Sequence, residues 1–187
     1  MLPIPLNAAL ILIDIQQGFD HPAHWGERNN PGAEANAARL LDAWRKSGRP
    51  LVHVQHRSLT PGSPLAPGQP GCEHKPEVRP LPGEAIIGKH VNSAFIGTDL
   101  EAGLRARGID TLVLAGLTTQ HCVSTTARMA GNLGFVTVVA ADACAAHAQT
   151  GHDGKRHPAE EVHEVSLATL HGEFAEVAST ADILKAL

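Results

Sequence analysis

The stretch Thr111–Thr126 constrains the fold more than any other part of the sequence. Its apolar run, Leu112–Ala115, predicts a buried strand that stops at Gly116, and a polar turn then leads into a helical pattern with Cys122 near its first turn. A strand that feeds a helix through a tight turn is how open α/β sheets present a nucleophile. Unpaired N–H groups at a helix start lower a thiol's pKa and can receive an oxyanion. Alternatively, Cys122 is a small apolar residue that packs the helix against the sheet.

Strand and helix patterns alternate from one end of the chain to the other. Strands are predicted at Ala8–Asp14, Pro50–Gln55, Ala85–Gly88, Thr111–Ala115, Phe135–Ala140 and Glu173–Ala178. Helices are predicted at Pro31–Lys46, Thr98–Arg107, His121–Leu133, Ala159–Leu170 and Thr180–Leu187, the last with Thr180 as its N-cap. The 187 residues are therefore expected to form one α/β domain, residues 1–187. We expect a doubly wound, mainly parallel six-stranded sheet with helices on both faces, a Rossmann-like three-layer sandwich.

Composition argues against several classes of partner. The formal net charge is −4 with no basic stripe, and Tyr is absent, so no nucleic-acid partner is expected. The apolar run Ala8–Ile13 is too short to span a bilayer, and no Lys or Arg precedes it as in a secretion signal. The three cysteines include no Cys-x-x-Cys pair, which favours free thiols and a cytoplasmic location without membrane contact.

Two apparent cofactor signals are weak. Gly83–Lys89 matches seven positions of the phosphate-loop pattern, but His90 stands where Ser or Thr should hold the metal ion. No Gly-x-Gly-x-x-Gly follows the first strand, so a dinucleotide is not expected either. Five potential metal ligands have spacings that fit no standard zinc pattern: His53, His56, Cys72, His74 and His90. We therefore expect no cofactor and no metal, and we interpret Cys72 and Cys144 as incidental.

Three chemically capable residues share one position in the predicted sheet. Asp14, Lys89 and Cys122 each lie at or just past the carboxyl end of a strand. In a doubly wound sheet, ligands bind at that edge. This shared position favours a catalytic role for Cys122 over a purely structural role in packing.

Three blocks carry a family resemblance over nearly the whole chain: Leu10–Phe19, Gly88–Leu100 and Ala115–Val123. In this order and at these separations, the chain resembles the isochorismatase-like cysteine hydrolases, which include nicotinamidases and N-carbamoylsarcosine amidohydrolases. The resemblance implies a catalytic triad of Asp14, Lys89 and Cys122. It also implies a cis peptide at Leu117–Thr118, with the N–H groups of Thr118 and Cys122 forming an oxyanion hole.

The mechanism implied by these residue types is nucleophilic hydrolysis of a small amide. Asp14 takes the thiol proton, Lys89 favours the resulting anion, and a Cys122 thioester is then released by water. Proximity in sequence predicts that the pocket is lined by Phe19, Trp25, Asn92, Phe95 and His121. Because adjacent helical residues point about 100° apart, His121 should line the pocket mouth without reaching the Cys122 sulfur. Relatives are commonly homodimers or homotetramers, and the same is expected here.

Two departures from family patterns limit the substrate. Nicotinamidases carry an Asp-x-His metal pair after the second strand, whereas this chain has Gln55-His56-Arg57. True isochorismatases lack the cysteine, so Cys122 favours carbon–nitrogen hydrolysis. Two alternatives remain open: vinyl-ether hydrolysis with Asp14 as the acid and Cys122 as a bystander, and an idle oligomeric scaffold of the same fold.

Overall fold

The computed structural model describes residues 3–187 and contains one six-stranded parallel sheet. Its strands are β1 (Ala9–Ile13), β2 (Leu51–His56), β3 (Ala85–Lys89), β4 (Thr111–Leu117), β5 (Val136–Ala145) and β8 (Glu176–Ala178). Their order across the sheet, β3-β2-β1-β4-β5-β8, is that of a doubly wound fold, which reverses direction between β1 and β4. The predicted fold class is therefore confirmed. Two short strands, β6 (Gln149–Thr150) and β7 (Arg156–His157), form a separate antiparallel pair.

Helices cover both faces of the sheet. The α-helices are α1 (Pro22–Trp25), α2 (Ala33–Ser47), α3 (Leu100–Ala106), α4 (Ser124–Asn132), α5 (Ala159–Ala168) and α6 (Thr180–Lys185). Short 3₁₀ turns occupy Gln17–Asp20, Pro70–Cys72 and Pro76–Val78, the last two within the long loop between β2 and β3. None of the helices in residues 3–187 combines the length and the apolar character that a membrane crossing requires.

Alternate residues of β1 face two different hydrophobic layers. Leu10 and Leu12 pack in one cluster with α2 and α6, whose buried members include Leu40, Leu41, Trp44 and Ile183. Ala9, Ile11 and Ile13 pack in the other with α3, α4 and α5, through Leu104, Ala127 and Leu167 among others. Because every residue of β1 is buried, the continuous apolar run needs no polar alternation.

Several boundaries differ from the sequence prediction, and three of the differences have an identified structural origin. β5 continues to Ala145 instead of ending at Ala140, because its end pairs with β4 beyond a register shift between Leu114 and Gly116. The Ser179 hydroxyl, not Thr180, accepts the Asp182 N–H and caps α6. The helix predicted from His121 begins as a π-helical turn, Thr119–Val123, that continues into α4.

Candidate active site

Asp14, Lys89 and Cys122 meet at the carboxyl edge of the sheet, where the strand order reverses. Asp14 directly follows β1, Lys89 is the last residue of β3, and Cys122 lies in the π-helical turn after β4. Asp14 has φ +50°, an uncommon conformation for a residue with a side chain. Strained backbone and π turns both concentrate at functional sites.

The connection from β4 to the nucleophile position is tightly folded. The peptide bond between Leu117 and Thr118 is cis, at the position that the resemblance implies. The Thr118 carbonyl accepts N–H groups from His121 at 3.1 Å and Val123 at 3.2 Å, which closes the π turn around Cys122. The Thr119 hydroxyl and His163 Nδ1 lie 2.8 Å apart, so this turn is also tied to α5.

The Lys89 ammonium is the centre of the site. Its Nζ lies 2.6 Å from Asp14 Oδ2 and 3.3 Å from Cys122 Sγ. It also lies 3.2 Å from His56 Nδ1, and it donates to the Val91 carbonyl at 3.1 Å. Since an ammonium can only donate, Nδ1 of a neutral His56 is the acceptor in this pair.

These contacts place a cation among three potential ligands. Asp14, His56 and Cys122 each offer a ligand atom, and these atoms all lie within 4.8 Å of one another. Such a set resembles a metal site, but Nζ of Lys89 lies in hydrogen-bonding or ion-pairing contact with all three side chains. The ammonium therefore takes the position that a metal cation would need, and no other group of three ligating side chains converges within residues 3–187.

Burial controls the protonation of the two reactive groups. Loss of solvent raises the pKa of Asp14, although the Lys89 charge and hydrogen bonds lower it in part. Burial, followed by the Asp14 charge, raises the pKa of the Cys122 thiol. The helix start was expected to lower this thiol pKa, but burial and the Asp14 charge outweigh the lowering effect of Lys89. In the resting site a neutral thiol thus lies beside the buried pair of Asp14 and Lys89.

A cavity of about 220 Å³ opens above the Cys122 sulfur. We refer to it as the catalytic cavity, and its lining residues are Phe19, Trp25, His56, Leu65, Asn92, Thr118, His121 and Cys122. Its volume lies below the range of about 300–1,000 Å³ that is common for drug-sized ligands. The cavity therefore fits a small substrate.

Four of the five residues predicted for the pocket lie on the cavity wall: Phe19, Trp25, Asn92 and His121. Phe95 does not, and its placement corrects the prediction. It is 8% exposed and stacks on Phe135 within the hydrophobic core, with ring centroids 5.8 Å apart. The turn after β3 leaves Asn92 at the cavity and places Phe95 in the core cluster with Leu100 and Leu104, so nearness in sequence to Lys89 did not indicate a place on the cavity wall.

Two residues on the cavity wall and one residue that supports the site were not predicted from the sequence. His56 and Leu65 line the catalytic cavity, but one was considered only as a metal ligand and the other lies in an irregular loop. Gln16 is fully buried; its Nε2 donates to the carbonyls of His56 at 3.0 Å and Cys72 at 2.8 Å. Its Oε1 accepts the His56 N–H at 2.8 Å. The available sequence signal for Gln16 was its polar side chain two positions after Asp14. Its partners could not be read from the sequence, because they lie 40 and 56 positions away.

The remaining candidate ligands take part in other contacts. Gln55 donates to the Cys72 carbonyl at 2.9 Å and accepts from Arg57 Nε at 3.0 Å. Gln55 and Arg57, which stand at the positions of the nicotinamidase Asp-x-His pair, therefore bond to each other and do not resemble that metal-binding pair. His53 lies 2.8 Å from Glu84, with its pKa lowered by burial. His90 is exposed and contacts the Arg57 carbonyl.

Comparisons with known proteins point to a single family. The isochorismatase domain model matches residues 8–182. The isochorismatase family protein YrdC of Bacillus subtilis is 46% identical over 176 residues, which cover 94% of each chain. Maleamate amidohydrolase of Pseudomonas putida is 30% identical over 196 residues, covering 96% of this chain and 86% of that enzyme. A crystal structure from Chromobacterium violaceum, assigned to the isochorismatase family, has a TM-score of 0.95 at 51% identity, covering 100% of this chain and 97% of the other.

Proposed function

Because the chain belongs to the isochorismatase family of hydrolases, we propose that it cleaves the carbon–nitrogen bond of a small amide or ureido compound through a thioester on Cys122. The observation that carries this proposal is the contact of Lys89 Nζ with both Asp14 and Cys122 beneath the catalytic cavity. A nucleophile, a base and a fixed cation are then within reach of one bound carbonyl group. The amidohydrolase activity of the Pseudomonas putida relative supports the same bond type.

The first half-reaction forms the thioester. Asp14 takes the Cys122 proton as the sulfur attacks the carbonyl carbon, which gives a tetrahedral oxyanion. The N–H groups of Thr118 and Cys122 receive this oxyanion. Asp14 then gives the proton to the leaving nitrogen as the carbon–nitrogen bond breaks, so that ammonia or an amine departs and the acyl group stays on sulfur.

The second half-reaction returns the free enzyme. Asp14 removes a proton from a water molecule, the water oxygen attacks the thioester carbon, and the proton passes to the departing Cys122 sulfur. The product is a carboxylic or carbamic acid. The raised pKa of Asp14 suits this role, because a carboxylate with a higher pKa is a stronger base. Lys89 stabilises the thiolate as the proton leaves it.

The direct test is the intact mass of the protein after challenge with a panel of small amides. Wild type and Asp14→Asn are compared, because Asp14→Asn lacks the base and an acyl group added slowly would not be released by water. A mass increase lost in Cys122→Ala supports the thioester. Cys144→Ala is the matched control, since this thiol is fully buried outside the catalytic cavity. Turnover that Cys122→Ala retains would contradict the proposal.

One observation favours vinyl-ether hydrolysis as a second candidate. A buried carboxyl with a raised pKa can also serve as a general acid, which that reaction requires of Asp14. The Cys122→Ala variant distinguishes the two reactions, because only the thioester route loses activity. Alkylation by iodoacetamide is a poor test against an idle scaffold, because burial slows the reaction of the resting thiol even in an active enzyme.

We also propose a homodimer or homotetramer in the cytoplasm. Ile86 on the edge strand β3 and Val91 just after it are large apolar side chains that are 49% and 45% exposed in the single chain. Val91 precedes Asn92 on the cavity wall, so a second copy placed here would adjoin the cavity. Three free cysteines support a reducing compartment. Sedimentation analysis of the purified protein tests the oligomeric state, and a monomer would contradict it.

A further inference from the structure

The walls of the catalytic cavity carry no formal charge. Among the described residues that line it, none is Asp, Glu, Lys or Arg. Burial, together with the Lys89 charge, lowers the pKa of His56 to about 4, and burial also lowers the pKa of His121. Both imidazoles are therefore neutral near pH 7, and the cavity offers a bound anion no cationic partner from its walls.

The Lys89 ammonium beneath the cavity is already paired with groups of the site. Lys89 is 1% exposed, and its charge is paired with the Asp14 carboxylate at 2.6 Å. Its other contacts are the Cys122 sulfur, His56 Nδ1 and the Val91 carbonyl, so four partners already share the three donor hydrogens of the ammonium. A substrate carboxylate could bind Lys89 only by displacing a catalytic contact.

One side of the cavity is apolar. Phe19 and Trp25 pack with ring centroids 5.0 Å apart, and Leu65 belongs to the same hydrophobic cluster. The Trp25 indole N–H donates to the Gly18 carbonyl at 2.8 Å, so the ring has no remaining donor for a ligand. An ionised group placed against this side would lose its hydration without a replacement partner.

Resting on the amide hydrolysis proposed above, we propose that this enzyme selects small uncharged amides, discriminates against amides whose acyl group carries a carboxylate, and uses Leu65 as a specificity-determining residue. This inference rests on three observations: the uncharged cavity wall, the pairing of Lys89 within the site, and the apolar side to which Leu65 belongs. It separates this chain from its maleamate-hydrolysing relative, because maleamate is an amide with an ionised carboxylate near pH 7.

The first test compares maleamide with maleamate, which differ by replacement of one carboxamide with a carboxylate of nearly the same shape. At pH 7.5, kcat/KM for maleamide is expected to exceed that for maleamate by on the order of 100-fold, because the buried carboxylate has no cationic partner. Followed by NMR, the diamide should therefore be converted to maleamate, which then accumulates. Equal or faster hydrolysis of maleamate overturns the inference but leaves the proposed amide hydrolysis intact.

The second test supplies the missing cation. Leu65→Arg places a guanidinium on the cavity wall and should reduce the maleamide preference at least about tenfold. Leu59→Arg is the matched control, because Leu59 lies in the same loop but is 74% exposed and outside the cavity. The control should retain the wild-type preference. A preference that is unchanged in a folded Leu65→Arg variant contradicts the role of Leu65.

A binding measurement separates this inference from the catalytic proposal. Cys122→Ala is titrated with maleamide and with maleamate, using the fluorescence of Trp25 on the cavity wall and calorimetry. Tighter binding of maleamide supports charge selection even if the wild type hydrolyses neither compound, a result that would count against the proposed amide hydrolysis. Tighter binding of maleamate overturns charge selection whatever the enzyme hydrolyses.

Discussion

Gly116 of β4 lies opposite Ile13 of β1, and the two backbones approach so closely that no side chain fits between them. A Cβ on Gly116 would fall 2.0 Å from the Ile13 carbonyl oxygen, and the glycine has φ +144°, where L side chains are strained. Asp14 follows Ile13 directly, and Cys122 follows Gly116 by one short turn. This contact therefore sets how closely the base and the nucleophile approach each other.

Gly116→Ala is expected to lower the free energy of unfolding by more than about 3 kcal/mol. The methyl group must push β1 and β4 apart, since its nearest neighbours are backbone atoms that cannot rotate away. Urea unfolding measures the change. Gly103→Ala is the control: Gly103 lies in helix α3, and a Cβ added there would meet nothing within 4 Å, so alanine should stabilise by about 0.5–1 kcal/mol. Equal stabilities of the two variants would contradict this account.

The sequence predicts the fold well because the continuous apolar runs and their glycine stops are local signals. It does not predict the end of β5, where Gly116 shifts the register and Ala145 pairs with Leu117. A register shift depends on a contact between distant strands, and no local pattern of Ala and Cys in residues 141–145 records it. The same applies to the cap of α6, because Ser179 and Thr180 are adjacent and both are good caps.

Gln16→Glu is expected to destabilise the protein by about 3 kcal/mol. The substitution removes the Nε2 donor and leaves a buried carboxylate facing the carbonyl oxygens of His56 and Cys72. Because His56 contacts Lys89, kcat/KM should fall as well. Thermal and urea unfolding test the stability. Gln17→Glu is the control, since Gln17 is half-buried and makes one long bond, 3.3 Å, to the His74 carbonyl; its cost should stay below about 1 kcal/mol. Similar losses in both variants would argue against the role of Gln16.

Glu34→Gln should change how stability depends on acid. Burial opposes ionisation of Glu34, but hydrogen bonds and charge from Arg28 and Lys75 lower its pKa to about 2 from an unfolded value of 4.5. This carboxylate therefore contributes stability above pH 4.5, and the contribution is lost as the pH falls toward 2. Glu34→Gln should cost about 3 kcal/mol at pH 7 and far less near pH 2.

Urea unfolding at several pH values measures this dependence. The exposed residue Glu164 supplies the control, since Glu164→Gln should follow the wild-type curve at every pH. A gap between wild type and Glu34→Gln that stays constant from pH 7 to pH 2 would contradict the assignment. Lys75 also pairs with Asp20 at 2.5 Å. The charged cluster of Arg28, Glu34, Lys75 and Asp20 therefore links the loop between β2 and β3 to the 3₁₀ turn Gln17–Asp20, which carries Phe19.

The residues of the site differ in how visible they are in the sequence. Asp14, Lys89 and Cys122 could be selected together because the carboxyl ends of parallel strands converge at one edge. Leu65 could not, since its position depends on the path of an irregular loop whose Gly71 lies against Gly18. The raised pKa of Cys122 was equally invisible, because it depends on burial and on pairing within the site and not on the helix start alone.

Lys89→Met should reduce kcat/KM roughly 1,000-fold or more at pH 7, because it removes the charge that partly lowers the Asp14 pKa against burial. That pKa then rises further, Asp14 holds its proton at neutral pH, and the acidic limb of the pH–rate profile moves to higher pH. Raising the pH should therefore recover part of the lost activity, which damage to the fold alone would not allow. Lys46→Met, on the exposed face of α2, is the matched control and should keep the wild-type profile. A Lys89→Met enzyme with an unshifted acidic limb would show that Lys89 does not control the protonation of Asp14.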